Sequence, residues 1–381
     1  MRISQQCTKC ILDTNDDSKI TFNDKGICNY CQTFDNDYTY FLTMSTQAKE
    51  AELIKMVEQM KADGKGKKYD CICGVSGGVD SSFLAAKAKE FGLRTLLVHF
   101  DNGWNSELAV KNIEQICKYT GFDLNTYVVD WEEFKDLQKS YIQAGVLDWE
   151  VPTDHGLWAV ILKKSKELNV KHILIGANYQ TEGILPRPMR YDKADLKNIK
   201  DIYKKFGARK KFKSFPTYKH FPHMYMRFFG GLKLDSMLYY MEYNKNVSKQ
   251  YLIDVVGWRD YGGKHFESIF TRFYQGYVLK EKFGYDKRKA HLASLICSGQ
   301  MSREDALSEL NQPAINPSIL KDDLQFFIKK MGFTEEEFTN IMKEKPVPHE
   351  HFKSYASFEY PAFKKLLKFL VAVKKLTKSK T

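Results

Sequence analysis

Residues Tyr69–Ser82 read YDCICGVSGGVDSS, and the rest of the chain is organised around them. Cys71, Ile72, Cys73 and Val75 make a short run with β character, which Ser76-Gly77-Gly78 breaks. Leu84, Ala88 and Phe91 then recur at spacings of four and three, the period of a helix, and Gly92 stands where a helix stop belongs. A strand feeding a glycine turn feeding a helix N-terminus is an anion site by construction. Glycine lets the backbone come close, and the first-turn N–H groups have no partner inside the helix. The hydroxyls of Ser76, Ser81 and Ser82 add donors. Val79 and Asp80 open the helix, with Asp80 placed to hold Mg²⁺ against phosphates. The bland alternative is an ordinary tight βα turn, and the complete SGGVDSS string in this context argues against it.

Outward from this stretch the pattern alternates. Thr46–Met60 has helical spacing, and Lys61–Lys68 is a polar, glycine-containing link. Arg94–Phe100, Leu124–Val129 and Val170–Ile175 read as strands. Leu108–Tyr119, with Gly121 behind it, and Asp154–Leu168 read as helices. Continuous apolar strands separated by helices predict an α/β fold: a parallel sheet covered by helices on both faces. Ligands in such sheets bind at the carboxyl ends of strands, which selects Ser76–Ser82, Asp101–Trp104, Asp130–Trp131 and Gly176–Tyr179. Beyond Thr181 the βα rhythm is lost. A helical, irregular C-terminal region is expected, with helices at Ser302–Leu310, Ser318–Met331, Thr334–Met342 and a basic amphipathic one at Phe363–Leu376. The organisation read from this is a cysteine-bearing segment over 1–45, the α/β part over 46–180, and the helical region over 181–381.

The 1–45 segment carries Cys7-x2-Cys10 and, seventeen residues on, Cys28-x2-Cys31. This is metal-knuckle spacing, and Gly26 suits the turn before the second pair. Four thiolates close a tetrahedron and leave no open position, so the site is structural. Zinc is the expected ion, with rubredoxin-type iron as the alternative. Cys71 and Cys73 share one face of a buried strand and read as core. A net charge of +12 suits anionic partners such as nucleotides, sugar nucleotides or nucleic acid, though a lysine-rich solvated surface explains it equally well. No apolar run approaches a membrane span, and Met1–Asp17 lacks the apolar core of a signal peptide, so a cytoplasmic protein is expected.

SGGVDSS is not a Walker A loop, since no lysine lies inside the turn. It resembles the pyrophosphate (PP) loop of the N-type ATP pyrophosphatases. Three stretches narrow the resemblance: the cysteine set ahead of the loop, VPTDHGLWAV (Val151–Val160), and the block Gly257–Leu307 that begins GWRDYGGKHFESIFTRFYQGYVLKEKFGYDKRKAH. Together they resemble the bacterial N-acetyl sugar amidotransferase family (WbpG and PseA type) of O-antigen and flagellar glycan synthesis, over essentially the whole chain.

The resemblance implies that ATP·Mg²⁺ binds with its β,γ-phosphates at Ser76, Gly77, Gly78, Val79, Asp80, Ser81 and Ser82. The adenosine would lie between strand ends carrying Phe100 and Asp101 on one side and Gly176 and Asn178 on the other. A sugar acetamido oxygen would be adenylated, ammonia would add, and an acetamidino group would remain. With no lysine in the loop, cations must arrive from elsewhere, and Arg259, Lys264 and Arg272 are the expected sources. Asp154 and His155 are expected at a helix start, to contact substrate or shuttle a proton, or simply to cap. Arg187 and Arg190 are expected to grip a substrate carboxylate or phosphate, or to be structural. Arg2 rather than cysteine follows the initiator, and no nucleophile turn holds Cys117 or Cys297. The family context therefore implies a separate glutaminase with a barrel-type channel partner as ammonia source. The rival reading is a tRNA-thiolating enzyme, which also pairs knuckles with this loop; it is disfavoured because no further Cys-x-x-Cys pair exists, and nucleic acid is not the expected partner.

Overall fold

The structure is a computed structural model, and it describes residues 5–219, 230–263 and 266–355. The expected helix at Phe363–Leu376 and the expected ligand Lys264 lie outside the described residues.

The knuckle segment runs into α1 (Asn29–Thr43), and α2 (Thr46–Asp63) follows, capped by the Ser45 hydroxyl. The α/β part then gives β1 (Cys71–Gly74), α3 (Val79–Glu90), β2 (Thr95–Asp101), α4 (Glu107–Thr120), β3 (Asp123–Val128), α5 (Trp131–Gln143), α6 (Val151–Glu167) and β4 (His172–Leu174). Short α7 (Tyr179–Glu182) and α8 (Leu196–Phe206) lead to β5 (Lys233–Asp235). The remainder is helical: α9 (Lys245–Tyr251), α10 (Ile269–Phe273), α11 (Arg288–Cys297), α12 (Arg303–Leu310), α13 (Pro317–Met331) and α14 (Glu335–Lys343). α10 continues through a π-helical turn at Tyr274–Val278.

All five strands are parallel, in the order β3-β2-β1-β4-β5. The sheet is therefore doubly covered, as the sequence predicts. Ile72, Leu96, Val98, Phe100 and Ile173 pack on the side of α5, α6 and α8. Cys71, Cys73, Leu97 and Leu174 pack on the side of α2, α3 and α4. Alternate residues of one strand feed opposite cores because successive side chains point to opposite faces.

Three details differ from expectation. β3 is an edge strand, with Leu124 and Val128 40% and 67% exposed rather than buried on both faces. Asp130-Trp131 is a helix start, since the Asp130 carboxylate caps α5 by accepting from Glu133 N–H at 3.0 Å. The region after Thr181 lends the sheet its fifth strand. His172 pins that strand, bonding Asp235 at 2.8 Å and Asp63 of α2 at 2.9 Å.

Candidate functional site

β1 ends at Gly74, and its pairing with β2 persists one residue further through Val75 N–H to Val98 carbonyl at 2.9 Å. The turn then reverses at Gly77, whose φ is +80°. A Cβ there would stand 2.4 Å from the Ala109 carbonyl oxygen of α4, so only glycine fits on both counts. Gly78 is the N-cap of α3 and has no capping side chain. The turn is held from within: Ser76 N–H donates to Ser81 Oγ and Gly78 N–H to Ser76 Oγ, each at 3.3 Å. It is also held from far along the chain. The Trp258 indole N–H donates to the Gly77 carbonyl at 3.0 Å. The Tyr261 hydroxyl accepts from Val79 N–H and bonds Glu267, and the Tyr243 hydroxyl donates to Asp80. Burial, reinforced by the neighbouring carboxylates, holds both phenols well above the usual tyrosine range, so they stay neutral donors.

The turn faces outward. A cavity of about 190 Å³ opens over Ser76, Gly78, Val79, Asp80 and Ser81, closed on its other sides by Gly176, Glu182, Lys245, Tyr261 and Glu267. A second cavity of about 440 Å³ shares Ser76, Ser81, Gly176 and Glu267 with it and extends between the ends of β1, β2 and β4 and α6. A third, of about 560 Å³, meets the first at Glu182 and the second at Thr271, Gln275 and Lys287. The three together form one cleft at the carboxyl edge of the sheet.

The expected residues divide. Ser76, Gly78, Val79, Asp80, Ser81, Phe100 and Gly176 line the first two cavities. Gly77 shapes the turn, and Ser82 is buried behind it. Asp101 is turned to its own loop, accepting from Gly103 N–H at 2.9 Å and from the Asn105 amide. Asn178 is 2% exposed and caps α7, accepting from Thr181 N–H at 2.8 Å, so it stands behind the wall rather than in it.

His155 is a correction. It lies in the second turn of α6, not at its start, and is fully buried. Its Nδ1 bonds the Lys193 carbonyl at 2.9 Å and its Nε2 accepts from Tyr218 N–H at 3.3 Å, so both nitrogens are used. Burial lowers its pKa to about 4, which leaves it neutral and structural. Asp154 does line the second cavity, paired with Lys193, which also reaches Asp148 at 3.4 Å. Burial alone would lower the Lys193 pKa, but Asp148, Asp154 and Glu150 outweigh it and raise it.

The expected cations divide too. Arg272 lines the third cavity but is tied to Asp323 by two bonds of 2.7 Å. Arg187 and Arg190 are exposed, and Arg190 closes on the Leu185 carbonyl. Arg259 is exposed, with its backbone held by Asn112. None of these three lines the cleft. Other cations of the cleft are Lys245 and Lys193, lone lysines without a motif around them, and Lys287 and Arg288, which stand in the quoted block without marking themselves as site residues.

At the N-terminus Cys7, Cys10, Cys28 and Cys31 are fully buried, and their sulfurs lie within 4.8 Å of one another. Contacts of 3.6 Å (Cys28–Cys31), 3.8 Å (Cys10–Cys28) and 3.9 Å (Cys7–Cys31) match the edge of about 3.8 Å that Zn–S bonds of about 2.3 Å give a tetrahedron. Backbone N–H groups of Cys10 and Cys28 point at the Cys7 sulfur, at 3.4 and 3.2 Å. Gly26 has the positive φ that the knuckle needs. The donor set thus fits zinc. Cys297 of α11 adds a fifth thiol 3.5 Å from Cys31, and Lys289 of the same helix pairs with Asp13 and Asp16 at 2.8 and 2.9 Å. The knuckle is thereby clasped to the C-terminal helices. No described helix is long and apolar enough to cross a membrane.

A parallel sheet with a glycine-serine turn at its carboxyl edge and a cysteine cluster in front defines the class: an α/β protein with helices on both faces of the sheet. Residues 267–367 match the family described as LPS biosynthesis protein WbpG-like, C-terminal domain. The chain is similar to an uncharacterized protein of Methanocaldococcus jannaschii, 22% identical over 328 residues, which are 83% of this chain and 97% of that one. It is also similar to tRNA(Ile)-lysidine synthase of Chlamydia pneumoniae, 30% identical over 138 residues, 35% of this chain and 39% of that one. Among solved structures it is similar to NMN synthetase from Francisella tularensis (15% identity, TM-score 0.30, 37% of this chain and 58% of that one). NH3-dependent NAD synthetase from Campylobacter jejuni is similar too (12% identity, TM-score 0.31, 42% and 73%).

Proposed function

We propose that this chain is the ATP-dependent synthetase of an amidotransferase, converting a sugar N-acetyl group to an acetamidino group in O-antigen or flagellar glycan synthesis. The observation that carries the reading is the outward-facing turn at Ser76–Ser82 with a cavity over it, in a chain whose residues 267–367 match a WbpG-like C-terminal domain. The β,γ-phosphates lie on Ser76, Gly78 and Ser81 and the first turn of α3, where N–H groups and the helix dipole favour anions. The first cavity also carries Asp80, Glu182 and Glu267 against the single Lys245, a set that repels a bare triphosphate. Asp80 would hold Mg²⁺ there, and the ion would supply the charge that neutralises the departing pyrophosphate. The adenosine takes the second cavity, against Phe100 and Gly176.

The steps follow. The acetamido oxygen attacks the α-phosphorus, the bond to pyrophosphate breaks, and the amide N–H proton is lost, leaving an O-adenylyl imidate. Ammonia adds to the imidate carbon. The C–O bond then breaks with AMP as leaving group, and the amidine remains. Adenylation is needed because an amide oxygen is otherwise a poor leaving group. Ammonia comes from a separate glutaminase with a channel partner, so the isolated chain is expected to use ammonium salts and not glutamine.

The test is incubation with ATP, Mg²⁺, an ammonium salt and candidate N-acetylated sugar nucleotides. Pyrophosphate release with a product about one dalton lighter than the substrate supports the reading. Pyrophosphate release with no sugar product, or activity with glutamine alone, sinks it.

A second reading, an RNA-modifying enzyme, draws on the tRNA named in the Chlamydia relative and on the +12 charge. Thiolation is poorly served. Burial pushes the Cys71 thiol up to about 12 and raises that of Cys73, and none of the described residues lining the three cavities is a cysteine. Tight, salt-sensitive tRNA binding by the purified chain would restore this reading.

A further inference from the structure

We propose that α8 and the loop after it form a docking surface for an anionic phospholipid bilayer, so that the chain lies on a membrane without spanning it. None of residues 194–219 lines any of the three cavities, and the inference does not depend on the nucleotide reading.

Charge is the first observation. From Leu196 to Lys219 the chain carries nine cations and one acid, Asp201. Lys197, Lys200 and Lys204 follow one another on α8 at spacings of three and four. That sets like charges side by side along one helix face, a destabilising arrangement without an anionic partner. Lys200, Lys204, Arg209, Lys210, Lys211 and Lys213 are all exposed. The carboxylates beneath them are engaged. Asp201 pairs with Lys205 at 2.8 Å, and Asp136 accepts from Ala208 and Arg209 N–H at 2.9 and 3.2 Å. Glu133, 1% exposed, accepts from Ser214 and Phe215 N–H at 2.7 and 2.9 Å. These acids offset only part of the charge, and Asp136 and Glu133 fix the loop by its backbone, which leaves its basic side chains facing outward.

The second observation is apolar surface within this basic field, and the place where the described chain ends. Phe206, the last residue of α8, is 38% exposed, with its ring edge-on to Phe352. Phe352 to Tyr355 run along α8: Lys353 N–H donates to Asp201 at 3.1 Å and Tyr355 N–H to Asp195 at 3.0 Å. The rest of the chain therefore departs beside the basic surface. Residues 360–381 read YPAFKKLLKFLVAVKKLTKSKT, with seven lysines and no acid. Being of the same sign, this tail does not neutralise the patch, and the two together call for one anionic partner outside the chain. Among its lysines Leu366, Leu370 and Val373 recur at the spacing of a helix face. A basic, amphipathic sequence suits the lipid interface, where lysines meet headgroup phosphates and aliphatic side chains enter the acyl boundary. Nucleic acid would answer the lysines and leave those aliphatic residues without a use.

The test is sedimentation of the full chain with vesicles of phosphatidylcholine alone and of phosphatidylcholine and phosphatidylglycerol in equal parts, with tRNA binding measured alongside. Binding is expected to the anionic vesicles only, and is expected to fall steeply as salt is raised. Lys200→Glu, Lys204→Glu and Lys211→Glu combined are expected to weaken it at least about tenfold. The melting temperature and α,β-methylene-ATP affinity of that variant are expected to be unchanged, because the three side chains are exposed and lie outside the cleft. Leu370→Gln, which keeps the charge, is expected to weaken vesicle binding several-fold by removing an aliphatic side chain from the interface. No sedimentation with anionic vesicles, equal sedimentation with neutral ones, or undiminished binding by either variant overturns the proposal. Tighter binding to tRNA than to anionic vesicles, weakened by the charge reversals and indifferent to Leu370→Gln, overturns it in favour of a nucleic acid.

Discussion

Replacing Gly77 with alanine tests the site at its narrowest point. The φ of +80° costs an L-residue about 1–2 kcal/mol. The new methyl would also stand 2.4 Å from the Ala109 carbonyl oxygen and 3.0 Å from the Ala109 carbonyl carbon and Cα. These are backbone atoms of α4, which cannot swing aside as a side chain would, and overpacking of this kind costs about 1–3 kcal/mol. Together the loss is about 2–5 kcal/mol, so for a chain of this length the melting temperature is expected to fall by about 2–6 °C. Gly66 is the control: its φ is +75°, but nothing lies within 4 Å of a Cβ there, so Gly66→Ala carries only the backbone cost. Scanning calorimetry on both variants isolates the clash with α4. Calorimetric titration with α,β-methylene-ATP then reads the site, where Gly77→Ala is expected to lose at least about tenfold in affinity because the N–H groups of the turn are displaced. If the two variants melt together, and Gly77→Ala binds the nucleotide as the native chain does, the turn is not the cradle described here.

Other outcomes follow from the same geometry. Trp258→Phe removes the bond to the Gly77 carbonyl and is expected to cost about 1 kcal/mol and to weaken nucleotide binding several-fold; unchanged affinity would show that the turn holds without it. The His155 pKa lies below its unfolded value, so its share of stability is intact above pH about 6.5 and is lost as pH falls toward 4, at about 1.4 kcal/mol per unit. His155→Gln should flatten denaturant-derived stability over that window, and an unaltered slope would mean that the imidazole is not sealed in. One zinc per chain is expected by elemental analysis, and Cys28→Ser should lose both the metal and the packing of the 1–45 segment; a chain that melts identically with and without chelator contradicts a structural centre.

Legibility followed range. The glycine turn, the strand-to-helix switch after it and the knuckle spacing are written in neighbouring residues, where steric limits on φ and the helical period act directly. The strand ends pointed to Phe100 and Gly176 for the same reason. At Asp101 and Asn178 the reading stopped short, because a polar side chain beside a strand end has two uses, and here both satisfy their own loops. α5 was missed although Asp130 is a good cap, since a cap and a strand-end ligand look alike in sequence. His155 was misjudged by one turn of helix: α6 begins at Val151, and that shift carries the imidazole from the mouth of the cleft into its packing.

The sequence by itself determined that a parallel α/β sheet presents a glycine-serine turn near residue 78, and that four cysteines at knuckle spacing gather ahead of it. Those properties reside in short strings whose local chemistry admits few alternatives. Only the tertiary structure decided what surrounds the turn. Tyr243, Trp258, Tyr261 and Glu267 arrive there from more than 160 positions downstream, Lys245 supplies a cation that no motif announces, and α11 fastens the knuckle to the C-terminal helical region. Such meetings are fixed by how helices pack over a folded sheet, a long-range outcome that no local pattern of residues encodes.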